Sequence, residues 1–194
     1  MIPKVIHYCW FGNKSKPQLI ENCRASWEEH LSNFEFVEWN EKNTNLKHPF
    51  VADYVRLKVL YEQGGGYLDT DMLVLKSFDE LLNNLAFIGL ESKHYISCGI
   101  IGVPPKHPYI KACLDYYKNI DISNLNYKEI VIPKIFTKIY KEMYGKNNGI
   151  TTKLHSDLNG NPKEYFYPYP NPPIPESENA YKEYIRPSTY AVHL

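Results

Sequence analysis

The sequence lacks several features that would assign it to common functional classes. Its 194 residues include 22 basic and 22 acidic side chains, so no excess of positive charge is available to bind a nucleic-acid backbone or an anionic membrane surface. The four cysteines are scattered and form no C-x-x-C pair, which argues against a zinc site and indicates reduced, mostly buried thiols. No segment approaches about 18 consecutive apolar residues, and the first residues lack the apolar stretch of a signal peptide. We therefore expect a cytoplasmic protein with no transmembrane segment and no nucleic-acid partner.

The common nucleotide and hydrolase motifs are missing too. The chain has no G-x-G-x-x-G and no G-x-x-x-x-G-K-[ST], which argues against Rossmann-type dinucleotide binding and against P-loop chemistry. It has no G-x-S-x-G, and no cysteine has a convincing histidine partner for nucleophilic catalysis.

The length and the order of patterns predict a single α/β domain over residues 1–194. Strand and helix patterns alternate, which favours a mainly parallel central sheet. Residues 150–194 are rich in Pro and Tyr, and we predict an irregular segment packed on the domain, in which 165–175 is a candidate acceptor wall. The predicted strands cover 4–10, 34–39, 67–75, 86–90 and 96–103; the predicted helices cover 17–30, 50–63, 108–118 and 127–144, with a short helical turn over 78–84.

An acidic pair, Asp69 and Asp71, is the strongest candidate for a functional site. The pair flanks Thr70 on a segment that we predict to be extended, shortly after three consecutive glycines. Side chains at positions i and i+2 of a strand point to the same side, so both carboxylates are expected to face one cation. Mg²⁺ and Mn²⁺ prefer such oxygen ligands and typically take one or two carboxylates together with substrate phosphates. The alternative is two solvated acids near a turn, but ligands of α/β proteins bind after strand ends, which favours the metal site.

A second pair, Asp53 and Arg56, lies three residues apart on a predicted helix, so the two side chains are neighbours. The simple interpretation is a local ion pair. However, this helix carries apolar residues on several sides, which indicates burial, and buried charges need partners or line a pocket.

Aromatic residues and histidines supply further candidates. Trp10 and Phe11 end the first predicted strand, where a nucleotide base can stack, with core packing as the alternative. His7 lies in that strand, and His193 lies near the end of a predicted final strand. A function for either histidine would depend on where the fold places it.

Three segments carry a family resemblance: residues 2–12 (IPKVIHYCWFG), 52–56 (ADYVR) and 64–71 (GGGYLDTD). In this order they resemble the sugar-binding, DXD-containing glycosyltransferases of family 32, which include many bacterial capsular-polysaccharide enzymes. Residues 87–91, 100–108 and 188–193 fit the same pattern, so the resemblance spans nearly the whole chain. It implies a retaining glycosyltransferase with a GT-A-type, Rossmann-like fold. Such an enzyme moves a hexose from a nucleotide-diphosphate sugar to a saccharide acceptor in capsular or exopolysaccharide synthesis.

The resemblance also implies ligands and roles for individual residues. The expected cofactor is Mn²⁺ or Mg²⁺, and the donor is a UDP-sugar rather than a GDP-sugar. The acceptor is a saccharide or a lipid-linked saccharide, which would bring the enzyme to the inner face of the cytoplasmic membrane as a peripheral protein. The implied metal ligands are Asp69, Asp71 and His193; the implied catalytic set is Asp53, Arg56, Asp69 and Asp71; the implied donor-binding set is Trp10, Phe11, Asp53, Arg56, Tyr67, Asp69 and Thr70.

Two departures and two rival hypotheses remain open. Cys98 stands where relatives often have a small hydroxyl or amide residue, and the chain ends at Leu194, where relatives commonly continue. The chain is therefore either a fragment or a short member that lacks part of the diphosphate site. A phosphotransferase of the haloacid dehalogenase type also uses a D-x-D, but it needs Thr or Val where Leu73 stands. The other rival is a module that binds a nucleotide sugar without transferring it.

Overall fold

The computed structural model describes residues 1–44, 50–92, 94–120, 131–144, 153–155, 157–170 and 179–194. Its centre is a seven-stranded sheet with the strand order β2-β1-β3-β6-β5-β8-β7. Strands β1 and β2, β1 and β3, and β5 and β8 pair in parallel, while β6 and β7 each pair antiparallel to their neighbours. Five of the seven strands therefore point in one direction, as the predicted α/β class requires. These strands are β1 (Val5–Cys9), β2 (Glu35–Trp39), β3 (Gly65–Leu68), β5 (Phe87–Leu90), β6 (Ile96–Val103), β7 (Lys153–His155) and β8 (Leu158–Asn161).

Helices cover the sheet and connect its strands. Within the described residues, none of these helices is long and apolar enough to cross a membrane. The predicted helix over 127–144 is confirmed from residue 132 onward, and residues 127–130 lie outside the described part of the chain. The helices are α1 (Gln18–His30), α2 (Val51–Gln63), α3 (Pro108–Lys118), α4 (Ile132–Tyr144) and the short α5 (Lys163–Phe166), with 3-10 turns at Leu81–Asn83 and Ala180–Tyr184.

Alternate residues of the inner strands build a separate core on each face of the sheet. Ile88 and Ile101 pack with helices α2, α3 and α4, whereas their neighbours Phe87 and Ile100 pack on the opposite face with Trp27 of α1. This division follows from the two-residue period of a strand, which sends successive side chains to opposite faces. The mostly apolar sequence of β6 fits its position as a strand that is buried throughout.

The glycine break after α2 sets the position of β3. Gly64 has φ 69° and Gly65 has φ 96°, backbone conformations that residues with a side chain rarely adopt. A Cβ atom on Gly65 would lie 2.4 Å from Val5 Cγ1, so glycine also allows β3 to approach β1 closely. Helix α2 therefore ends abruptly, and the chain enters the middle of the sheet as a buried strand.

The sequence prediction for residues 67–75 was wrong in one respect. Instead of one long strand, β3 ends at Leu68 and a second strand, β4 (Met72–Val74), belongs to a separate two-stranded ribbon. Between them the amide of Met72 donates to the carbonyl of Asp69 over 3.1 Å, which closes a turn. The acidic pair thus lies on a turn between two sheets, and its carboxylates do not converge by strand alternation.

The expected irregular segment over 150–194 also contains regular structure. Strand β8 pairs in parallel with β5, and strand β9 (Ala191–His193) pairs antiparallel with β4. The sequence of β8, L-N-G-N, has low strand propensity, so its place in the sheet depends on pairing with the apolar strand β5. Residues 171–178 and most of 145–156 lie outside this description.

Candidate functional site

Three potential metal ligands converge at the turn after β3. Oxygen atoms of Asp69 and Asp71 and a ring nitrogen of His193 all lie within 4.8 Å of one another. The amide of Asp69 donates to the carbonyl of Gly99 on β6 over 2.9 Å, which holds the start of the turn against the sheet. The two predicted carboxylates and the predicted histidine therefore meet in one place.

The ribbon of β4 and β9 brings His193 to this turn. In the antiparallel register Met72 lies opposite His193, and the amide of Leu194 donates to the carbonyl of Asp71 over 3.1 Å. Trp27 of α1 donates from Nε1 to the carbonyl of Met72 over 2.6 Å and so ties the ribbon to the domain core. Residues 122 positions apart in the sequence, Asp71 and His193, are thus fixed side by side, with 3.3 Å between Asp71 Oδ1 and His193 Nε2.

Arg56 fixes the first of the two acidic residues. Its side chain is almost fully buried, and it donates from Nη2 to Asp69 Oδ1 and from Nη1 to the carbonyl of Cys98, both over 2.8 Å. The guanidinium carbon lies 4.3 Å from the centre of the buried Tyr67 ring, a cation–π arrangement. One side chain of α2 therefore joins β3, the acidic turn and β6.

Asp53 supports Arg56 from the preceding turn of α2. Its Oδ1 lies 3.7 Å from Arg56 Nη2, and Tyr117 of α3 donates to its Oδ2 over 3.4 Å. The expected pairing on one helix face is confirmed, and Asp53 contacts the site through Arg56. Its expected contact with the donor sugar remains a prediction.

A cavity of about 450 Å³ opens beside the acidic turn. Its floor is the start of β6, and it extends from Asp69 and His193 towards the loop that joins β5 to β6 and the segment after β8. Three tyrosines line it, two of them from the segment that the sequence suggested as an acceptor wall. The lining residues are Arg56, Asp69, Glu91, Ser92, Tyr95, Ser97, Cys98, Gly99, Ile132, Pro133, Lys163, Tyr167, Tyr169 and His193.

Other predicted donor contacts lie outside this cavity. Trp10 follows β1 and borders a separate pocket of about 230 Å³, where its Nε1 donates to the carbonyl of Lys14 over 2.8 Å. Phe11 is half-buried next to it, and Thr70 is half-buried on the acidic turn. Tyr67 lies beneath Arg56 with almost no exposed surface. The base-stacking role of Trp10 and the donor contacts of these residues remain predictions.

Tyr167 and Glu91 are cavity residues to which the sequence assigned no individual role, although they lie in two of the segments named above, 165–175 and 87–91. The ring of Tyr167 passes over two glycines of paired strands: a Cβ atom on Gly89 would lie 2.5 Å from its Cε2, and one on Gly99 would lie 2.9 Å from its hydroxyl. Two features of the sequence could have pointed to these residues. Gly89 and Gly99 interrupt apolar strands, which leaves room for a ring, and Glu91 directly follows a buried strand, as Asp69 does.

Burial and neighbouring charges shift the pKa values of the clustered groups. Burial raises the pKa of the Asp69 carboxyl, and the positive charge of Arg56 opposes this shift. Burial alone would lower the pKa of His193, but the carboxylates of Asp71 and Asp69 raise it overall above 6.5. The concentrated negative charge therefore attracts protons to the histidine, and it would attract a metal cation for the same reason.

The donor set fits a divalent cation. Asp71 Oδ1 is closed off from solvent and has no hydrogen bond of acceptable geometry among the described residues, although buried oxygens normally have a partner. Two carboxylates and one imidazole are ligands that Mn²⁺ accepts, and carboxylates also suit Mg²⁺. Its neighbour is His193 Nε2 at 3.3 Å, an ion-pair contact, and a bound cation would give this oxygen a further, coordinating partner.

A comparison with family models agrees with this geometry. The model "Glycosyltransferase sugar-binding region containing DXD motif" matches residues 17–88, a range that includes Asp53, Arg56, Asp69 and Asp71. The predicted DXD resemblance is thereby supported over this part of the chain, whereas the bacterial capsular type is not established.

Curated relatives and solved structures point to the same class of protein. The chain is 28% identical over 155 residues to lactosylceramide 4-alpha-galactosyltransferase of Mus musculus, which covers 75% of this chain and 40% of the relative. It is 27% identical over 143 residues to inositol phosphoceramide mannosyltransferase 3 of Schizosaccharomyces pombe, and this match covers 65% of this chain and 39% of the relative. The fold matches that of a glycosyltransferase involved in the glycosylation of the major capsid of PBCV-1, with a TM-score of 0.57, 12% identity and coverage of 98% of this chain and 93% of the other.

The chain thus spans about 40% of the length of these curated relatives. The predicted fold class is confirmed, because the structural neighbours are glycosyltransferases of the GT-A type. Since the matched family model and the sequence relatives are of glycosyltransferases, the comparisons support a sugar-binding DXD region of the glycosyltransferase type.

Proposed function

We propose that this chain is the catalytic region of a retaining, metal-dependent glycosyltransferase that moves a hexose from a nucleotide-diphosphate sugar to a saccharide acceptor. The observation that carries the proposal is the convergence of Asp69, Asp71 and His193 within 4.8 Å at the edge of a cavity of about 450 Å³. The cavity lies past the carboxyl end of β3, the usual place for ligands in α/β proteins.

The residues of the site have separable roles in this proposal. Asp69, Asp71 and His193 would hold the divalent ion, which, when bound, supplies positive charge that stabilises the departing diphosphate. Arg56 keeps the Asp69 carboxylate in place through its 2.8 Å hydrogen bond. Because Asp69 and Asp71 are both engaged in this way, we expect retention by front-face attack, without a covalent intermediate on either carboxylate.

The proposed donor is a UDP-hexose, and a GDP-hexose is the alternative. The names of the two relatives differ in the transferred sugar, since one is a galactosyltransferase and the other is a mannosyltransferase. Our preference for UDP rests on the resemblance to family 32, and the calorimetric comparison below tests it.

The proposed acceptor is a saccharide carried on a lipid. Lactosylceramide and inositol phosphoceramide, named in the two relatives, are both lipids with a polar headgroup. For this chain we propose a growing capsular or exopolysaccharide chain at the inner face of the cytoplasmic membrane, approached as a peripheral protein.

Titration calorimetry with UDP and with GDP, each in Mn²⁺ and in EDTA, tests the donor site. We expect one nucleotide to bind in Mn²⁺ and to bind at least tenfold more weakly in EDTA. In Mn²⁺, we expect the Asp71→Asn variant to bind that nucleotide as weakly as wild type does in EDTA. The matched control is Asp115→Asn, which removes a half-exposed carboxylate on α3 that pairs with Lys111 away from the cavity. Binding that is equally strong in EDTA, or unaffected by Asp71→Asn, would contradict the proposed metal site.

Product analysis tests transfer itself. With the nucleotide sugar that binds and a simple glycoside as acceptor, we expect release of the nucleoside diphosphate and a product of the same anomeric configuration as the donor. Donor binding without any turnover over a panel of acceptors would instead favour a module that only binds nucleotide sugars.

A further inference from the structure

We propose that Glu91 binds hydroxyl groups of the transferred sugar and so helps to determine which nucleotide sugar the site accepts. This inference rests on the proposed function and adds to it a specificity residue outside the metal cluster. It is carried by the position of Glu91 in the sheet, by its carboxylate, which is unpaired within the described ranges, and by the side chains that surround it.

Glu91 occupies the same kind of position as Asp69. Strands β3 and β5 run in the same direction on either side of β6, and Asp69 and Glu91 are the residues that directly follow them. Since neighbouring strands lie about 4.8 Å apart, the two positions are separated by roughly 10 Å across the sheet. Both residues line the same cavity, and the first residues of β6 form the floor between them.

The strand order gives a direction for an extended ligand. From β1 to β5 the strand ends carry Trp10, then Asp69, and then Glu91. If the diphosphate is held at Asp69 with the nucleoside towards β1, the sugar lies on the other side of the metal cluster, above residues 97–99. The far hydroxyls of that sugar then meet the carboxylate of Glu91.

Backbone hydrogen bonds hold Glu91 in place, whereas its carboxylate has no partner in the part of the chain that the structure describes. The amide of Glu91 donates to the carbonyl of Tyr95 over 3.2 Å, and Ser92 Oγ accepts from the amides of His94 and Tyr95 over 3.1 and 3.2 Å. These bonds fix the turn between β5 and β6. Among the described residues, by contrast, the Glu91 side chain makes neither a hydrogen bond nor an ion pair. A half-buried carboxylate in a cavity wall is thus available to a ligand.

The surroundings of Glu91 suit a sugar. Tyr95, Tyr167 and Tyr169 line the same cavity and offer aromatic faces with polar tips. A carboxylate accepts hydrogen bonds through both oxygens, and such bonds to a charged group are stronger than those between neutral groups. A site that hydrogen-bonds a particular hydroxyl discriminates strongly against a sugar in which that hydroxyl is missing or displaced.

The test compares nucleotides with and without the sugar. Wild type, Glu91→Gln and Glu91→Ala are titrated in Mn²⁺ with UDP, UDP-galactose and UDP-glucose, and with GDP and GDP-mannose. We expect both variants to bind the preferred nucleotide sugar about tenfold more weakly, as loss of a charge-assisted hydrogen bond implies, and to bind its nucleoside diphosphate unchanged. We also expect the ratio of affinities for UDP-galactose and UDP-glucose to move towards one if the donor is a UDP-hexose.

The control is Glu142→Gln, which removes an exposed carboxylate of α4 that pairs with Lys138 outside the cavity. Thermal unfolding of both Glu91 variants should match wild type, because the carboxylate makes no hydrogen bond or ion pair with the residues that the structure describes. Unchanged affinity for the nucleotide sugar would overturn the proposal, and so would an equal loss for the nucleotide sugar and its diphosphate. Absence of nucleotide binding by the wild type would overturn the proposed function and this inference with it.

Discussion

Replacement of Arg56 by alanine tests the arrangement that holds the acidic turn. The substitution removes the only cation that contacts Asp69 among the described residues, and it leaves the carbonyl of Cys98 without the donor that it has in wild type. Removal of one member of a buried ion pair typically costs about 3–5 kcal/mol. Because the Asp69 side chain keeps 29% of its surface exposed, we expect Arg56→Ala to lower the free energy of unfolding by about 3 kcal/mol, the lower end of this range.

The pH dependence of this loss has a definite sign. Burial already raises the pKa of Asp69 above 3.8, and loss of the Arg56 charge, which lowers it, should raise it further. A carboxyl whose pKa is raised in the folded state favours folding only while protonated, so its contribution to stability is lost as the pH rises through the window above 3.8. The stability difference between wild type and Arg56→Ala should therefore be largest near neutral pH and should narrow towards pH 4.

Urea unfolding followed by circular dichroism, at several pH values, measures these differences. Arg56→Lys is the matched variant, since it keeps the charge but cannot bond both the carboxylate and the carbonyl in the same way. A double-mutant cycle with Asp69→Asn isolates the pair, and we expect a coupling energy of at least about 1 kcal/mol. A loss below about 1 kcal/mol in Arg56→Ala, or strictly additive effects in the cycle, would refute the view that this pair holds the turn.

Three further predictions concern packing, pH and metal binding. Gly102→Ala should destabilise the fold by about 1–3 kcal/mol in urea unfolding, because a Cβ atom there would lie 2.1 Å from Phe87 Cε1. Burial lowers the pKa of His7 below 6.5, so the unfolded chain binds a proton more readily and stability should fall as the pH drops below 6.5; His7→Gln should remove this dependence. His193→Ala should weaken Mn²⁺ binding by roughly tenfold or more in calorimetry, since one of three ligands is lost.

Each of these predictions has a control that can contradict it. Gly12→Ala has open space around the new Cβ but a strained positive φ, so it separates steric crowding from backbone strain. His30→Gln removes a histidine at the end of α1, and an equal change in pH dependence there would show that His7 is not the source. Unchanged Mn²⁺ affinity in His193→Ala would remove this histidine from the ligand set.

Much of the domain was predictable because its signals are local. The helix α2 carries apolar residues on several sides and ends at glycines with positive φ, and β6 is mostly apolar. The chemistry of Asp69 and Asp71 was predictable from residue type and from their place after a buried strand. The predicted geometry was wrong, since the pair lies on a turn, because no local pattern showed that residues 72–74 leave the main sheet to pair with β9.

The sequence by itself determined the α/β class, the buried strand that precedes the acidic pair and the residue types suited to a cation. Only the tertiary structure decided that His193 lies 3.3 Å from Asp71, that Arg56 bonds Asp69, and that Glu91 faces the same cavity. The physical reason is range. Helix periodicity and glycine breaks act over a few neighbouring residues, whereas the site depends on contacts between separate elements, and the pairing of β4 with β9 joins segments more than 100 residues apart.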